Sequence, residues 1–194
     1  MRQSTVKRTT SETAIDLSLV IDGRKEVEAD TGVGFFDHML MLFAAHGSFD
    51  LTVKADGDLY VDDHHTVEDV GIVLGQAFRE AMGDKRGIKR YATDFTPMDE
   101  SLSLVSIDVS NRPFLVYDVS GLGEKVGQFD TELVEEFLRA FINQAGITLH
   151  VKLIHGYNNH HIIESIFKGV GRVLSEALVI QDSNGDVPST KGKL

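Results

Sequence analysis

Two stretches decide how this chain is read: Asp62–Ile72, DDHHTVEDVGI, and Asn158–Lys168, NNHHIIESIFK. A shift of 96 positions lays His64, His65 and Glu68 on His160, His161 and Glu164, and the match continues through Glu80/Glu176 and Ala81/Ala177. Upstream, a shift of 98 pairs Phe43 with Phe141, Leu51 with Leu149, Val53 with Val151 and Lys54 with Lys152, and it sets His38 opposite Glu136. The difference implies two residues lost from one intervening loop. Two copies of a unit of about a hundred residues are too few for a solenoid array. The expectation is one unit, residues 1–194, made of repeats at about 1–87 and 88–181 with a loop tail over 182–194.

Within each copy the pattern is strands, a helix, a strand and a longer helix. Residues 14–22 and 102–109 alternate apolar and polar as half-buried strands do, and residues 49–55 and 147–154 do so less cleanly. Phe36–His46 and Leu133–Gln144 carry apolar residues at helical spacing, the first stopping at Gly47. Longer helices are predicted over 65–82 and 161–180, with Asp63 and Asn159 as N-caps. Helices segregated from strands argue for an α+β two-layer sandwich in two related halves. His155 reads as a loop residue.

The paired histidines suggest metal chemistry. Residues four apart share a helix face, so His64 and Glu68 can reach one ion, as can His160 and Glu164. His65 and His161 point about 100° away and are placed for a second ion. If the halves pack about a pseudo-twofold axis, each ion takes the first His and the Glu of one motif and the second His of the other. The same symmetry adds His38 beside one ion and Glu136 beside the other. Ligands of nitrogen and oxygen without sulfur suit manganese, iron, cobalt or zinc, and near-octahedral sites with open positions favour the first two. Asp62 and Asp63 are candidates to orient the histidines that follow them. A single motif of this kind at a helix start could be a solvated first turn whose Glu complements the dipole. Two at matched positions argue for a site.

Composition narrows the class. The 194 residues include no cysteine, so neither disulfides nor thiolate metal sites are available, as suits a reducing cytoplasm. No apolar run approaches the ~20 residues that cross a bilayer, and the polar N-terminus lacks a signal-like core, so no membrane partner is expected. A formal net charge of −11 disfavours nucleic acid.

GVGFFDHML (32–40), DDHHTVEDVGI (62–72), NRPFL (111–115), GQFDTELVEEF (127–137) and NNHHIIESIFK (158–168) resemble the signature blocks of the imidazoleglycerol-phosphate dehydratases. The similarity runs from about Thr9 to Lys191. The resemblance implies a ribosomal S5 domain 2-like fold and loss of water from the glycerol-phosphate side chain of an imidazole substrate in histidine biosynthesis. It also implies two Mn2+ ions per site and an assembly of 24 subunits with sites between them. Carried over by position, His38, His65, His160 and Glu164 would bind one ion and His64, Glu68, Glu136 and His161 the other. Glu12, His38, His46, Arg90, Arg112, Lys168, Ser189, Thr190 and Lys191 match substrate-contacting positions. Composition alone would make Arg90 and Arg112 ordinary surface cations, whereas Lys168 shares a helix face with Glu164.

The hydrogen to be lost adjoins no carbonyl, so the imidazole ring must supply the electrons, and a cation at a ring nitrogen favours the deprotonated ring. Glu12 is the leading general base, with Glu164, Asp99 and His46 as candidates to protonate the leaving hydroxide or shuttle protons. Two rival classes use the same motifs: a di-metal phosphohydrolase, which would release inorganic phosphate, and a metal-storing assembly with saturated ions.

Overall fold

The computed structural model describes residues 1–182, 185–192 and 194. The first half runs β1 (Gln3–Thr9), β2 (Thr13–Val20), β3 (Val27–Asp30), α1 (Gly34–Gly47), β4 (Asp50–Gly57) and α2 (His64–Met82). The second runs β5 (Tyr91–Met98), β6 (Ser101–Asp108), β7 (Phe114–Asp118), a small hairpin of β8 (Lys125–Val126) and β9 (Phe129–Asp130), α3 (Leu133–Ala145), β10 (Thr148–His155) and α4 (Asn159–Ala177). The two sheets have the same topology, β1-β2-β4-β3 and β5-β6-β10-β7, each with one parallel pair, β3–β4 and β7–β10. Register is shared as well: Leu17 pairs with Val53 in one sheet and Val105 with Val151 in the other. The duplication read from the histidine motifs therefore extends through four strands and two helices of each half, the β8–β9 hairpin being an addition of the second.

Alternation fixes which sheet face is covered. Ile15, Leu17 and Leu19 of β2 are buried while the residues between them reach the surface, the period-two consequence of the pleat. Helices cover the buried face of each sheet, so each half is a two-layer α+β sandwich. The halves then share helices. Helix α1 packs along α4 and α2 along α3, giving one continuous core with members from both copies. Phe43 of α1, Phe78 of α2 and Phe141 of α3 meet edge to face, with centroids 5.6 to 6.2 Å apart.

Glycines allow these helices to approach. A Cβ on Gly75 of α2 would lie 2.3 Å from the carbonyl oxygen of Phe141, and one on Gly171 of α4 would lie 2.2 Å from that of Phe43. Such close backbone approach is what carries the site, because its residues sit on paired helices from opposite halves.

The helix ends differ from the sequence reading. Asp63 makes no side-chain cap. Asp62 Oδ1 instead accepts from the backbone N–H of His64 at 2.8 Å. In the second half Asn158, not Asn159, caps α4, accepting from the backbone of His160 and His161 at 3.0 and 3.4 Å. Asp63 holds the predicted N-cap position without a side-chain bond, and in both halves the accepting oxygen comes from one residue earlier than predicted, two or three residues ahead of the N–H groups that it satisfies. Helix α1 includes Gly47, and the left-handed cap is Ser48. Gly47 is required by size, its missing Cβ lying 2.1 Å from the ring of Phe49. Helix α4 stops at Ala177 rather than 180, because Ile180 leaves to form a β-bridge with Ile88. His155 ends β10 instead of lying in a loop.

Candidate metal centre and active site

One turn of α4 separates His160 from Glu164, and α1 brings His38 to the same place. The Nε2 atoms of His38 and His160 face the same oxygen, Glu164 Oε1, at 2.9 and 3.2 Å, and Lys168 Nζ donates to the other oxygen, Oε2, at 2.7 Å. Ligand atoms of His38, His160 and Glu164 lie within 4.8 Å of one another. Glu164 is buried, whereas His38 is open to solvent. Burial opposes ionisation of Glu164, but the Lys168 ammonium and the two imidazoles outweigh it and hold the carboxyl at about 2. It is a charged, preorganised oxygen donor between two nitrogens.

The α2/α3 side presents the equivalent residues more loosely. His64 Nε2 stands 3.9 Å from Glu68 Oε2, and Glu136 lies on α3. Among the described residues the α1/α4 group is the one close cluster of three such ligands, and neither His65 nor His161 joins it. Each of those second histidines is turned to a carboxylate of its own. His65 Nδ1 is 3.0 Å from Asp58 Oδ2, and His161 Nδ1 is 2.7 Å from Glu100 Oε2. These bonds raise the pKa of both imidazoles, and His161 in turn holds the Glu100 carboxyl at about 2. The orienting role expected of Asp62 and Asp63 thus falls to other residues: Asp62 caps the helix, and burial beside Asp130 and Asp62 raises the pKa of Asp63.

The candidate acids and bases fall at the strand turns. Glu12 lies in the β1–β2 turn with Oε1 3.9 Å from His65 Nε2, and Asp99 in the β5–β6 turn with Oδ2 3.9 Å from His161 Nε2. Asp99 has φ 48°, a left-handed conformation that a non-glycine residue adopts at a cost. His46, exposed near the end of α1, has its pKa lowered by partial desolvation and then by the charges of Lys168, Arg172 and Lys25.

Arg90, Arg112, Ser189, Thr190 and Lys191 come together with Tyr91 and Pro188 around a cavity of about 610 Å³. Asp108 holds both guanidiniums, accepting from Arg90 Nε at 2.7 Å and from Arg112 Nη2 at 3.4 Å. Arg90 Nη1 donates to the carbonyl of Pro188 at 2.7 Å, which ties the C-terminal segment across the cavity, and its guanidinium lies 4.6 Å above the Tyr91 ring. Lys168 does not line this cavity.

A family model described as imidazoleglycerol-phosphate dehydratase matches residues 31–174. The chain belongs to the imidazoleglycerol-phosphate dehydratase family. Among curated relatives it is 56% identical to the imidazoleglycerol-phosphate dehydratase of Oceanobacillus iheyensis and 60% identical to that of Thermoanaerobacter pseudethanolicus, each covering 100% of both chains. Its fold matches the crystal structure of the dehydratase from Staphylococcus aureus with a TM-score of 0.84 and 45% identity, covering 92% of this chain and 99% of that one. It also matches the enzyme from Pyrococcus furiosus in complex with (S)-C348 with a TM-score of 0.83 and 38% identity, covering 97% and 100%.

For a member of the dehydratase family the donor set fits a divalent transition ion. Two imidazole nitrogens and one ionised carboxylate converge without sulfur, and no cysteine exists to supply any. No helix among the described residues is long and apolar enough to cross a membrane. Sequence reasoning missed Asp58, Glu100 and Asp108. Glu100 meets His161 across 61 positions and Asp108 meets Arg90 across 18, so neither pair shows locally, whereas Asp58 lies seven residues before His65 and Asp108 four before Arg112, both outside the helical motifs that guided the reading.

Proposed function

We propose that the chain catalyses the dehydration of D-erythro-imidazoleglycerol phosphate to imidazole acetol phosphate, a step of L-histidine biosynthesis, in the cytoplasm. The observation that carries this reading is the His38, His160 and Glu164 group, built from both halves of the repeat. Residues 1–194 act as one catalytic unit, since neither half holds that group alone. His38, His65, His160 and Glu164 would hold one Mn2+ and His64, Glu68, Glu136 and His161 the other. Within one chain His65 stays outside the close group, which supports a site completed by another copy. The exposed Tyr91, Phe95, Phe114 and Ile154 on the second sheet offer apolar surface for that contact, in an assembly of 24 copies.

When bound, the two ions supply Lewis acidity that favours the deprotonated imidazole ring of the substrate. The protein's own groups do the rest. Arg90 and Arg112, with Ser189, Thr190 and Lys191, hold the phosphate in the 610 Å³ cavity, and Asp108 keeps the two guanidiniums in place. Lys168 holds Glu164 ionised and offers a further cation to the substrate. The hydroxyl on the carbon next to the ring leaves as water, taking a proton from Asp99 or His46, since Glu164 is held ionised by Lys168 and has none to give. Glu12 then takes the proton from the next carbon, giving an enol that tautomerises to the ketone.

Incubation of the purified protein with imidazoleglycerol phosphate and manganese tests the reading. Formation of an enolisable ketone supports it. Release of inorganic phosphate would instead point to a phosphohydrolase, and the absence of any product would refute catalysis on this substrate.

A further inference from the structure

Four histidines of the duplicated motifs differ in what their rings face. His64 and His160 turn Nε2 towards the glutamate one helical turn on. His65 and His161 turn Nδ1 to a carboxylate, leaving Nε2 as the free ring nitrogen beside Glu12 and Asp99. We propose that Asp58 and Glu100 are positioning residues that fix His65 and His161 in the tautomer whose Nε2 can bind metal. A neutral imidazole carries one N–H; a carboxylate that accepts from Nδ1 keeps the hydrogen there, so the lone pair lies on Nε2 and the ring is held in one orientation. The inference rests on the reading above that these histidines are ligands.

Geometry favours this assignment over chance contact. Asp58 presents both oxygens to His65 Nδ1, at 3.0 and 3.2 Å, with its own backbone N–H donating to the Glu12 carbonyl at 3.1 Å. Glu100 Oε1 accepts from the backbone of Asn158 and from Ser101 Oγ, both at 2.9 Å, while Oε2 faces His161 at 2.7 Å. Both carboxylates are thus anchored and only partly exposed, with relative side-chain exposures of 13% and 20%.

The repeat supplies an independent argument. Superposing β2 on β6 brings Glu12, not Asp58, onto Glu100, since each immediately precedes its strand or is separated from it by no residue. Asp58 follows β4, and the matching loop after β10, residues 156–158, contains no acidic residue. There a Cβ on Gly156 would lie 2.6 Å from Ser101 Oγ, so the second half has no room to place a carboxylate as the first half does. The two halves deliver a carboxylate to the same ring nitrogen from different elements. Inheritance from one ancestral half does not produce that arrangement, whereas a shared requirement on the second histidine of each motif does.

The test measures manganese binding to chelator-treated protein by titration calorimetry and, with cobalt in place of manganese, by visible absorption, for Asp58→Ala and Glu100→Ala. Each should bind metal roughly 10–100-fold more weakly, the usual loss for such partners, with an altered cobalt spectrum. The urea midpoint of the metal-free protein should stay unchanged in Asp58→Ala and fall only slightly in Glu100→Ala, because Glu100 Oε1 also accepts from the Asn158 backbone and Ser101 Oγ. Asp62→Ala, which removes only a helix cap, should leave metal affinity much closer to that of wild type. Wild-type affinity in both variants would overturn the proposal, as would losses that merely track a lower urea midpoint. Should the alanine variants fail to fold, Asp58→Leu and Glu100→Met, which keep bulk but offer no acceptor to Nδ1, decide the matter on the same two readouts. Failure of the wild type to bind metal or to form the ketone would overturn the dehydratase reading itself. A competent wild type beside unaffected variants would overturn only the positioning role.

Discussion

Replacing Gly75 by Ala tests whether the close approach of α2 and α3 is needed for both stability and the site. The new Cβ would meet three parts of α3: the Phe141 carbonyl oxygen at 2.3 Å, Gln144 Cβ at 2.7 Å and Ala145 N at 3.1 Å. An unstrained carbon–oxygen contact is about 3.3 Å or more, so the helices must separate by about 1 Å. None of the three atoms is the end of a flexible side chain that could swing aside. Overpacking of this kind costs about 1–3 kcal/mol, while alanine in a helix interior returns about 1 kcal/mol relative to glycine. Three such contacts at once, two of them with backbone atoms, put the cost in the upper part of that range, about 2–3 kcal/mol, so the expected net loss is about 1–2 kcal/mol, or a fall in Tm of about 2–8 °C for a chain of this size. Metal binding should weaken as well, because α2 carries His64 and Glu68 and α3 carries Glu136. Thermal unfolding of chelated protein followed by circular dichroism, together with manganese titration, provides both readouts. Gly34→Ala serves as the control, since nothing lies within 4 Å of its Cβ position. A Gly75→Ala protein that melts at or above the wild-type temperature with unchanged metal binding would refute the reasoning.

Four further outcomes follow from the site. Glu12→Gln should keep its metal and its assembly and bind substrate near normally, yet lose roughly two to four decades in turnover, because an amide cannot take a proton; loss of metal would recast Glu12 as a ligand. Lys168→Met should weaken imidazoleglycerol phosphate more than free imidazole in competition binding, and equal losses would confine Lys168 to holding Glu164, its partner at 2.7 Å. His65→Ala and His161→Ala should each bind fewer ions than the expected two per chain by metal analysis, and two tight ions in either would defeat the crossed ligand scheme. If the proposed sites lie between copies, chelation should shrink the particle and manganese restore it by light scattering, because such ligands link binding to assembly.

Much of this was legible in the sequence because the duplication left its clearest trace at the functional residues. His64, His65 and Glu68 align with His160, His161 and Glu164 without a gap, and apolar alternation in β2 and β6 survives beside them. Three features were not legible. Short edge strands such as β3, Val27–Asp30, carry too few residues for a periodic signal. The pairing of α1 with α4 depends on Gly171, and an isolated glycine in a helical pattern does not announce which backbone it admits. The carboxylates at His65 and His161 come from non-equivalent places in the two halves, so a search guided by the repeat looks where they are not. The local neighbours Asp62 and Asp63 were the natural candidates on spacing, but an acid one or two residues ahead of a helix is better placed for backbone N–H groups than for a side chain leaving the helix.

The two half-sites, equivalent by descent, have become unequal. Glu164 is buried among His38, His160 and Lys168 and stays ionised down to a pH of about 2. Its counterpart Glu68 is 45% exposed, 3.9 Å from His64, and the position matching Lys168 is the apolar Ile72. His38 on one side is answered by Glu136 on the other. One half-site is therefore buried, closely packed and paired with a cation, and the other is open and more acidic. On the proposed reading this difference has a use. An imidazole with a side chain on one carbon has two inequivalent nitrogens, and identical half-sites would bind it equally well in either direction. Unequal ones can favour the single orientation that turns its glycerol chain towards one turn carboxylate, Glu12 or Asp99, and its phosphate towards one set of cations. On the same reading, duplication supplied the ligands for two ions, and divergence between the copies supplied the direction.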